Sequence, residues 1–338
     1  NACGQAKYRV GKSLPAWQTY NDKIFNKRSG KAVQENLMNK WWWLLLTILC
    51  WLVVGIAIFG SRQDRDVNGA PLLDQAGRIV SLAPNLTEIL FAIGLEDQIV
   101  GVTLDSDYPP DAAEKPKVGT FWQPNIEAVV AARPNLVITL GFQQQEDLAE
   151  RLRRIGYNNL TVNIEKVCDL FTAIEEIGAA TGKQTQANDL TSSIRTKLQQ
   201  LATLVGAEAK VRVLWVVQRE PLRVAGRDTF VNEMIELAGG ENAIGPTVHK
   251  YPPIGAEQVM ACNAEVIIES AMGRQDIEGQ REIAMQHWSK YQYLPAVANN
   301  RVYVIDGDTV SRLGPRLYKG TETIAGCLRP ELAENFEK

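Results

Sequence analysis

Three aromatic side chains, Tyr108, Phe121 and Trp122, fall within the Pro-rich stretch SDYPPDAAEKPKVGTFWQPN, just ahead of a helix-and-strand pattern. Rings in such loops either pack over the end of a core or line a site for a ligand that offers a large flat apolar surface. A pair of glutamates forms the second candidate set. The segments IEAVVAARPNLVI and AEQVMACNAEVII align without gaps at an offset of 130 residues, which sets Glu127 over Glu257, Val129 over Val259, Ala131 over Ala261 and Val137-Ile138 over Ile267-Ile268. Any helix followed by a buried strand gives apolar matches of this kind. An acid at the second helical position also gains about 0.3–1 kcal/mol from the helix dipole. Helix stabilisation explains each glutamate singly but leaves unexplained the same acid at the same place twice. Duplicated acids suit a duplicated basic partner, met through charge-assisted hydrogen bonds.

Other chemistry is sparsely supplied. The sequence has no G-x-x-x-x-G-K nucleotide loop, dinucleotide fingerprint or G-x-S-x-G nucleophile elbow, so no catalytic residue is assigned. Its only histidines are His249 and His287, and no paired His or Cys spacing suits zinc, so no protein-built metal site is assigned and any metal is expected to arrive already chelated. A lone histidine such as His249 is more often a surface or capped residue than a ligand. With a net charge of −3 over 338 residues and no long basic run, the footprint that phosphate backbones require is missing, and nucleic acid is not an expected partner.

These candidates need a scaffold and an address. The uncharged run from Trp41 to Gly60 is long enough to cross a bilayer as a helix. Lys23, Lys27, Arg28, Lys31 and Lys40 precede it, which puts the N-terminal side in the cytoplasm and the rest outside. Met38 followed by NKWWWLLL also reads as the start of a secretory signal. Residues 1–37 are accordingly expected to be a non-native or cytoplasmic extension, 38–60 a signal peptide or N-terminal membrane anchor, and 61–77 a polar linker. The exported part would be periplasmic or extracytoplasmic, touching the membrane only through that N-terminal segment. It retains Cys168, Cys262 and Cys327, enough for one intrachain disulfide; Cys262 and Cys327, in the same half, are the expected pair.

From Arg78 the sequence alternates apolar strands with helical patterns, the signature of an α/β domain with a parallel sheet. RIVSLAPNLTEILFAIG reads as strand, turn at Ala83-Pro84, a helix capped at Asn85 or Thr87, and a stop at Gly94. Helical periodicity then runs from Asp169 to about Leu204 with an interruption at Thr181-Gly182, and the strand-helix pattern restarts at VRVLWVV and closes in a helix to about Leu328. The expectation is an α/β protein of two lobes with mainly parallel sheets: an N-terminal lobe over 78–182, one long connecting helix over 183–208 and a C-terminal lobe over 209–338, with a cleft between the lobes.

RIVSLAPNLTEILFAIGL, SDYPP, PNIEAVVAARPNLVI, AEQV and LPAVANNRVYVIDGD together resemble the periplasmic substrate-binding proteins of cobalamin, ferric-siderophore and haem importers, from about Arg78 to Leu328. The resemblance implies two α/β lobes joined by one rigid helix, a cobalt- or iron-containing chelate in the cleft, no intrinsic cofactor, and delivery to an ABC permease dimer with its ATPase. It implies that Glu127 and Glu257 dock on arginines of the two permease subunits. Through SDYPP and the aromatic pair the chain looks most similar to the cobalamin-binding branch, which implies Tyr108 in the cleft, Trp122 or Phe121 against a corrin-sized ligand, and Tyr251, in KYPPIGAEQV, on the second lobe. It departs from that branch in three ways: the spacing from Trp122 to Glu127 is one residue shorter, Ala238 stands where the branch has a cysteine, and SRLGPRL resembles the siderophore binders equally. Two other readings stand beside this one. A two-lobed chelatase-like enzyme would need His or carboxylate pairs in the cleft, and a membrane-anchored sensor or adhesion module would have no need of the paired glutamates.

Overall fold

Short apolar runs bounded by Pro, Gly and Asn dictate the architecture. The computed structural model describes residues 77–206, 209–271 and 276–332. The extension, the hydrophobic segment and nearly all of the linker therefore lie outside the described residues. In chain order the first lobe contains β1 (Ile79–Ser81), α1 (Pro84–Ala92), β2 (Ile99–Val102), α2 (Pro110–Ala113), α3 (Ile126–Ala131), β3 (Leu136–Leu140), α4 (Gln143–Arg154), β4 (Asn159–Val162) and α5 (Val167–Thr181). The long helix α6 (Gln184–Val205) follows. The second lobe holds β5 (Val211–Arg219), β6 (Leu222–Val224), α7 (Phe230–Leu237), β7 (Gly240–Asn242), α8 (Ala256–Ala261), β8 (Val266–Ala271), α9 (Ile277–Trp288), α10 (Pro295–Ala298), β9 (Val302–Asp306), α11 (Gly307–Ser311) and α12 (Leu317–Leu328).

The first sheet has the order β2-β1-β3-β4 and is parallel throughout. In the second, β5, β8 and β9 are parallel neighbours. The far edge of β5 is shared: β7 pairs in parallel with its start and the hairpin strand β6 antiparallel with its end. Helices cover both faces of each sheet, so the strands read as continuous apolar runs rather than alternating ones.

The helical stretch between the sheets is two helices. Gly182 adopts the left-handed conformation, φ 70°, which ends α5 and turns the chain into α6. Both helices contribute to one continuous apolar core that also takes in Leu86, Ile89 and Leu90 of α1, Trp215 and Ile268 of the second sheet, and Ile235, Leu317 and Ile324 of α7 and α12. The opposite sheet faces carry separate cores, one around Val80, Val137 and Leu152, the other around Leu214, Ile267, Val302 and Trp288. The lobes thus share buried apolar surface, at about 25 cal/mol per Å², and parting them would expose it.

The repeat seen in sequence is a repeat in structure. Helices α3 and α8 span matching residues at the 130-residue offset, and each is followed by a residue in the left-handed region, Arg133 or Asn263, φ 47° in both. An arginine at the start of a strand, just before β1 or within β5, closes each unit. Arg78 donates to the carbonyls of Ala132 and Arg133 while Asn135 Oδ1 accepts from the Arg78 amide. Arg212 donates to the Cys262 carbonyl while Glu265 Oε2 accepts from the Arg212 amide.

Two expectations are corrected. Cys262 and Cys327 form no disulfide; Cys168, Cys262 and Cys327 are all free thiols. Cys262 belongs to the core on one face of the second sheet and Cys327 to the core on the other, so the sheet stands between them. Helix α1 is capped by neither Asn85 nor Thr87: Ala83 is its N-cap and Pro84 its first residue, a position where the missing N–H is no loss. Asn85 and Thr87 serve other bonds.

Candidate functional site

At the tip of the loop before α3, Phe121 and Trp122 are presented by a tight turn. Gly119, φ 104°, is required there, because a Cβ would lie 2.6 Å from the Asn125 nitrogen and 2.7 Å from the Gln123 carbonyl oxygen. Thr120 Oγ1 accepts from the Gln123 amide, and Asp105 Oδ2 accepts from the Phe121 amide at 2.9 Å. Behind the loop, fully buried Gln145 donates to the Leu82 and Phe121 carbonyls and accepts from the Leu140 amide at 2.7 Å, which ties the aromatic loop to the ends of β1 and β3. Phe121 packs edge-on to Trp122 at 4.8 Å between ring centroids, and Phe142 packs against both at 5.2 and 5.9 Å.

Phe121 and Trp122 of this cluster form one wall of a cavity of about 300 Å³ between the lobes. Pro84, Asn85, Asp105, Leu140 and Ile164 extend that wall, and Phe230, Ser311, Arg312 and Leu313 face it from the second lobe. Trp122 is 66% exposed, so the cavity opens to solvent past its ring. Apolar walls with few polar groups are the usual make-up of a small-ligand site.

Among the described residues, four ion pairs join the lobes around the cavity. Arg316 makes a two-pronged contact with Glu88 of α1, 2.9 Å through Nε and 2.6 Å through Nη2, and both residues are buried, 7% and 3% exposed. Tyr108 lies under the Arg316 guanidinium, 4.0 Å from ring centroid to Cζ. Burial pushes the Glu88 carboxyl above its ordinary value, more than the hydrogen bond and charge of Arg316 pull it down. Arg316 is desolvated too, but the Glu88 hydrogen bond and charge outweigh that and hold it firmly protonated. Arg312 meets Asp107 of the first lobe at 2.5 Å, and Lys166–Asp228 and Lys250–Glu165 close the other side at 2.5 and 2.6 Å. Asn85 Nδ2 also donates to the Leu313 carbonyl across the boundary.

Of the residues singled out in sequence, Phe121 and Trp122 reach the cavity. Tyr108 supports Arg316 instead of lining it. Tyr251 is 37% exposed in a loop whose backbone carbonyl accepts from Arg223, and it is not part of the cavity lining. Burial pushes its phenol above the ordinary value, partly countered by Lys250 and Lys166. Glu127 and Glu257 are both exposed near the starts of α3 and α8, and His249 is exposed outside the cavity. Phe142, Phe230, Arg312 and Arg316 were missed. SRLGPRL carried the signal for the two arginines, but nothing in the local sequence marks Phe142 as a packing partner of the aromatic pair or Phe230 as lining.

A family profile described as periplasmic binding protein matches residues 79–309. An uncharacterized ABC transporter substrate-binding lipoprotein of Bacillus subtilis, YvrC, is 31% identical, over 80% of this chain and 84% of that protein. The vitamin B12-binding protein of Vibrio cholerae serotype O1 is 30% identical over 75% of this chain and 90% of its own length. The crystal structure of the periplasmic vitamin B12-binding protein BtuF of Vibrio cholerae superposes with a TM-score of 0.65 at 27% identity, covering 75% of this chain and 97% of that one.

Proposed function

The chain belongs to the periplasmic binding protein family, whose relatives here are ABC transporter substrate-binding proteins, and from that premise we propose that it captures a metal chelate, a corrinoid first, in the cavity between its lobes. The observation that carries this reading is the cavity itself, with Phe121 and Trp122 on one lobe, braced by Phe142, facing Phe230 and Arg312 on the other. Aromatic rings offer a macrocycle or aryl chelate broad apolar contact, and the Arg312–Asp107 ion pair adds a polar edge to the cavity. The vitamin B12-binding relatives support a corrinoid. Such a ligand exceeds 300 Å³, so in this reading it enters edge-on and leaves part of its ring against exposed Trp122. The small volume favours a second reading, a compact ferric chelate of the siderophore type.

Delivery in this account is to an ABC permease dimer driven by its ATPase, with Glu127 and Glu257 as the docking acids. Their exposure at equivalent places on the two lobes supports that role. A chelatase-like enzyme is separated by turnover: incubation with free metal and macrocycle should give no insertion product. The direct test is titration of the purified full-length protein with cyanocobalamin, haem and a ferric siderophore panel, followed by absorption spectra. Saturable binding of one chelate supports the reading, and absence of any saturable spectral change defeats it.

A further inference from the structure

The buried face of α4 is Gln145, Leu148, Ala149 and Leu152, the i, i+3, i+4, i+7 stripe of an amphipathic helix, and its first place holds an amide. A fully buried polar side chain on an apolar stripe is the informative exception. Its bonds say what it holds. Oε1 accepts from the Leu140 amide at 2.7 Å, while Nε2 donates to the Leu82 carbonyl at 2.7 Å and to the Phe121 carbonyl at 3.3 Å. One donor on one side and two acceptors on the other allow the amide a single orientation. Leu140 and Phe121 line the cavity, and Leu82 lies two residues before Pro84, which lines it too. The Phe121 peptide is thus gripped from both sides, its carbonyl by Gln145 and its N–H by Asp105 Oδ2 at 2.9 Å. Burial does little of this for the tip of the turn, because Trp122 is mostly exposed and leans on Phe121 and Phe142.

Resting on the chelate-binding reading above, we propose that Gln145 is the positioning residue of the aromatic wall: with Asp105 it clamps the Phe121 peptide and so sets the Phe121 and Trp122 rings in place before a ligand with a broad apolar face arrives. Gln145 does not line the cavity and acts through Phe121. A wall already in place has less freedom to lose on binding, and that saving appears as affinity. The same amide joins the wall to the ends of β1 and β3, so the rings are referred to the sheet rather than to the loop that carries them.

The test compares full-length wild type with Gln145→Met, which keeps the length of the side chain and loses all three bonds, and with Val302→Ala, which opens a gap in the separate core around Leu214 and Trp288 of the second lobe. Thermal melts report how far each variant is destabilised. The first readout needs no ligand: the near-ultraviolet circular dichroism of each protein, less that of the same protein carrying Trp122→Ala, isolates the band of Trp122 among its ring partners. Gln145→Met loses most of that band, and Val302→Ala keeps it. Absorption titration with cyanocobalamin, haem and a ferric tris-hydroxamate gives the second. The probe that wild type binds is held roughly tenfold more weakly by Gln145→Met, the scale of ordering two ring side chains on binding. Val302→Ala binds it as wild type does, despite its lower melting temperature. The exposed end of the clamp decides the matter if Gln145→Met fails to fold: Asp105→Ala loses the Trp122 band, and Asp105→Asn, which keeps an oxygen for the Phe121 N–H, retains it. A band unchanged in folded Gln145→Met or in Asp105→Ala, an affinity unchanged in Gln145→Met, or an equal loss of affinity in Val302→Ala overturns the positioning role and leaves chelate binding intact. Failure of wild type to bind any probe saturably overturns the chelate reading and this inference together.

Discussion

Breaking the Glu88–Arg316 pair from its two ends should have unequal consequences. Both side chains are buried, at 3% and 7% exposure, and the pair joins α1 to the segment that carries Arg312. Glu88→Gln removes the carboxylate charge and leaves a guanidinium that cannot lose its proton at any working pH. Removing one partner of a buried pair costs about 3–5 kcal/mol, and the Tyr108 ring beneath Arg316 offsets only about 0.5–2 kcal/mol through its π face. Arg316→Met is gentler, because Glu88, already pushed up by burial, escapes by taking a proton, and the methionine stem keeps contact with Tyr108. A loss of about 2 kcal/mol is expected there, and the double variant should lie above the sum of the two losses in stability. The sign of the pH dependence follows. A carboxyl whose folded pKa lies above its unfolded one binds more protons when folded, so its contribution is full below about 4.5 and is lost as pH rises through the raised folded value. In Arg316→Met that window moves higher, and in Glu88→Gln it vanishes. Urea unfolding monitored by circular dichroism from pH 4 to 8 gives all these quantities. Losses below about 1 kcal/mol for Glu88→Gln, or equal losses from both ends at every pH, would refute the reasoning.

Further outcomes follow from the same geometry. Trp122→Ala should weaken chelate binding roughly tenfold through lost apolar contact while leaving the melting temperature nearly unchanged, since the ring is mostly exposed; calorimetric titration against a thermal melt checks both. Replacing Glu127 and Glu257 together with Gln should leave folding and ligand affinity intact and nearly abolish uptake by vesicles carrying the cognate transporter, each lost pair costing roughly 1.5–3 kcal/mol of docking; equal uptake would return the acids to helix stabilisation. At pH 8 an alkylating reagent should modify Cys168 alone among the three described thiols, because burial pushes Cys262 up and Cys327 up to about 12; mass spectrometry of the native protein reads this directly. Because the lobes share one core, ligand should change the radius of gyration only slightly in X-ray scattering, and a large compaction would contradict the shared core.

Much of the scaffold was legible in the sequence because its signals are local. Gly94 and Gly182 mark helix ends that the structure reproduces, and the 130-residue repeat appears as α3–β3 and α8–β8. Strands β6 and β7 are three residues each, too short for any periodicity to register. The site was legible only in part. Phe121 and Trp122 stand out because aromatics are unusual in a turn, whereas Tyr108 and Tyr251 carry the same local signal and do not line the cavity, since which ring faces inward is decided by the other lobe. The cross-lobe contacts, Glu88 with Arg316 and Asp107 with Arg312, span more than 200 residues and leave no spacing to read. The cysteine pairing failed for the same reason: sharing a half of the chain does not say on which face of a sheet a thiol lies.

The most direct test of the account is the position of the metal. Crystals of the full-length protein grown with cyanocobalamin or a ferric chelate, measured at the cobalt or iron absorption edge, should show one anomalous peak between the Phe121–Trp122 wall and the Ser311–Leu313 segment. A peak elsewhere on the molecule, or none at saturating ligand, would contradict the claim that the cleft between the lobes is where this protein carries its cargo.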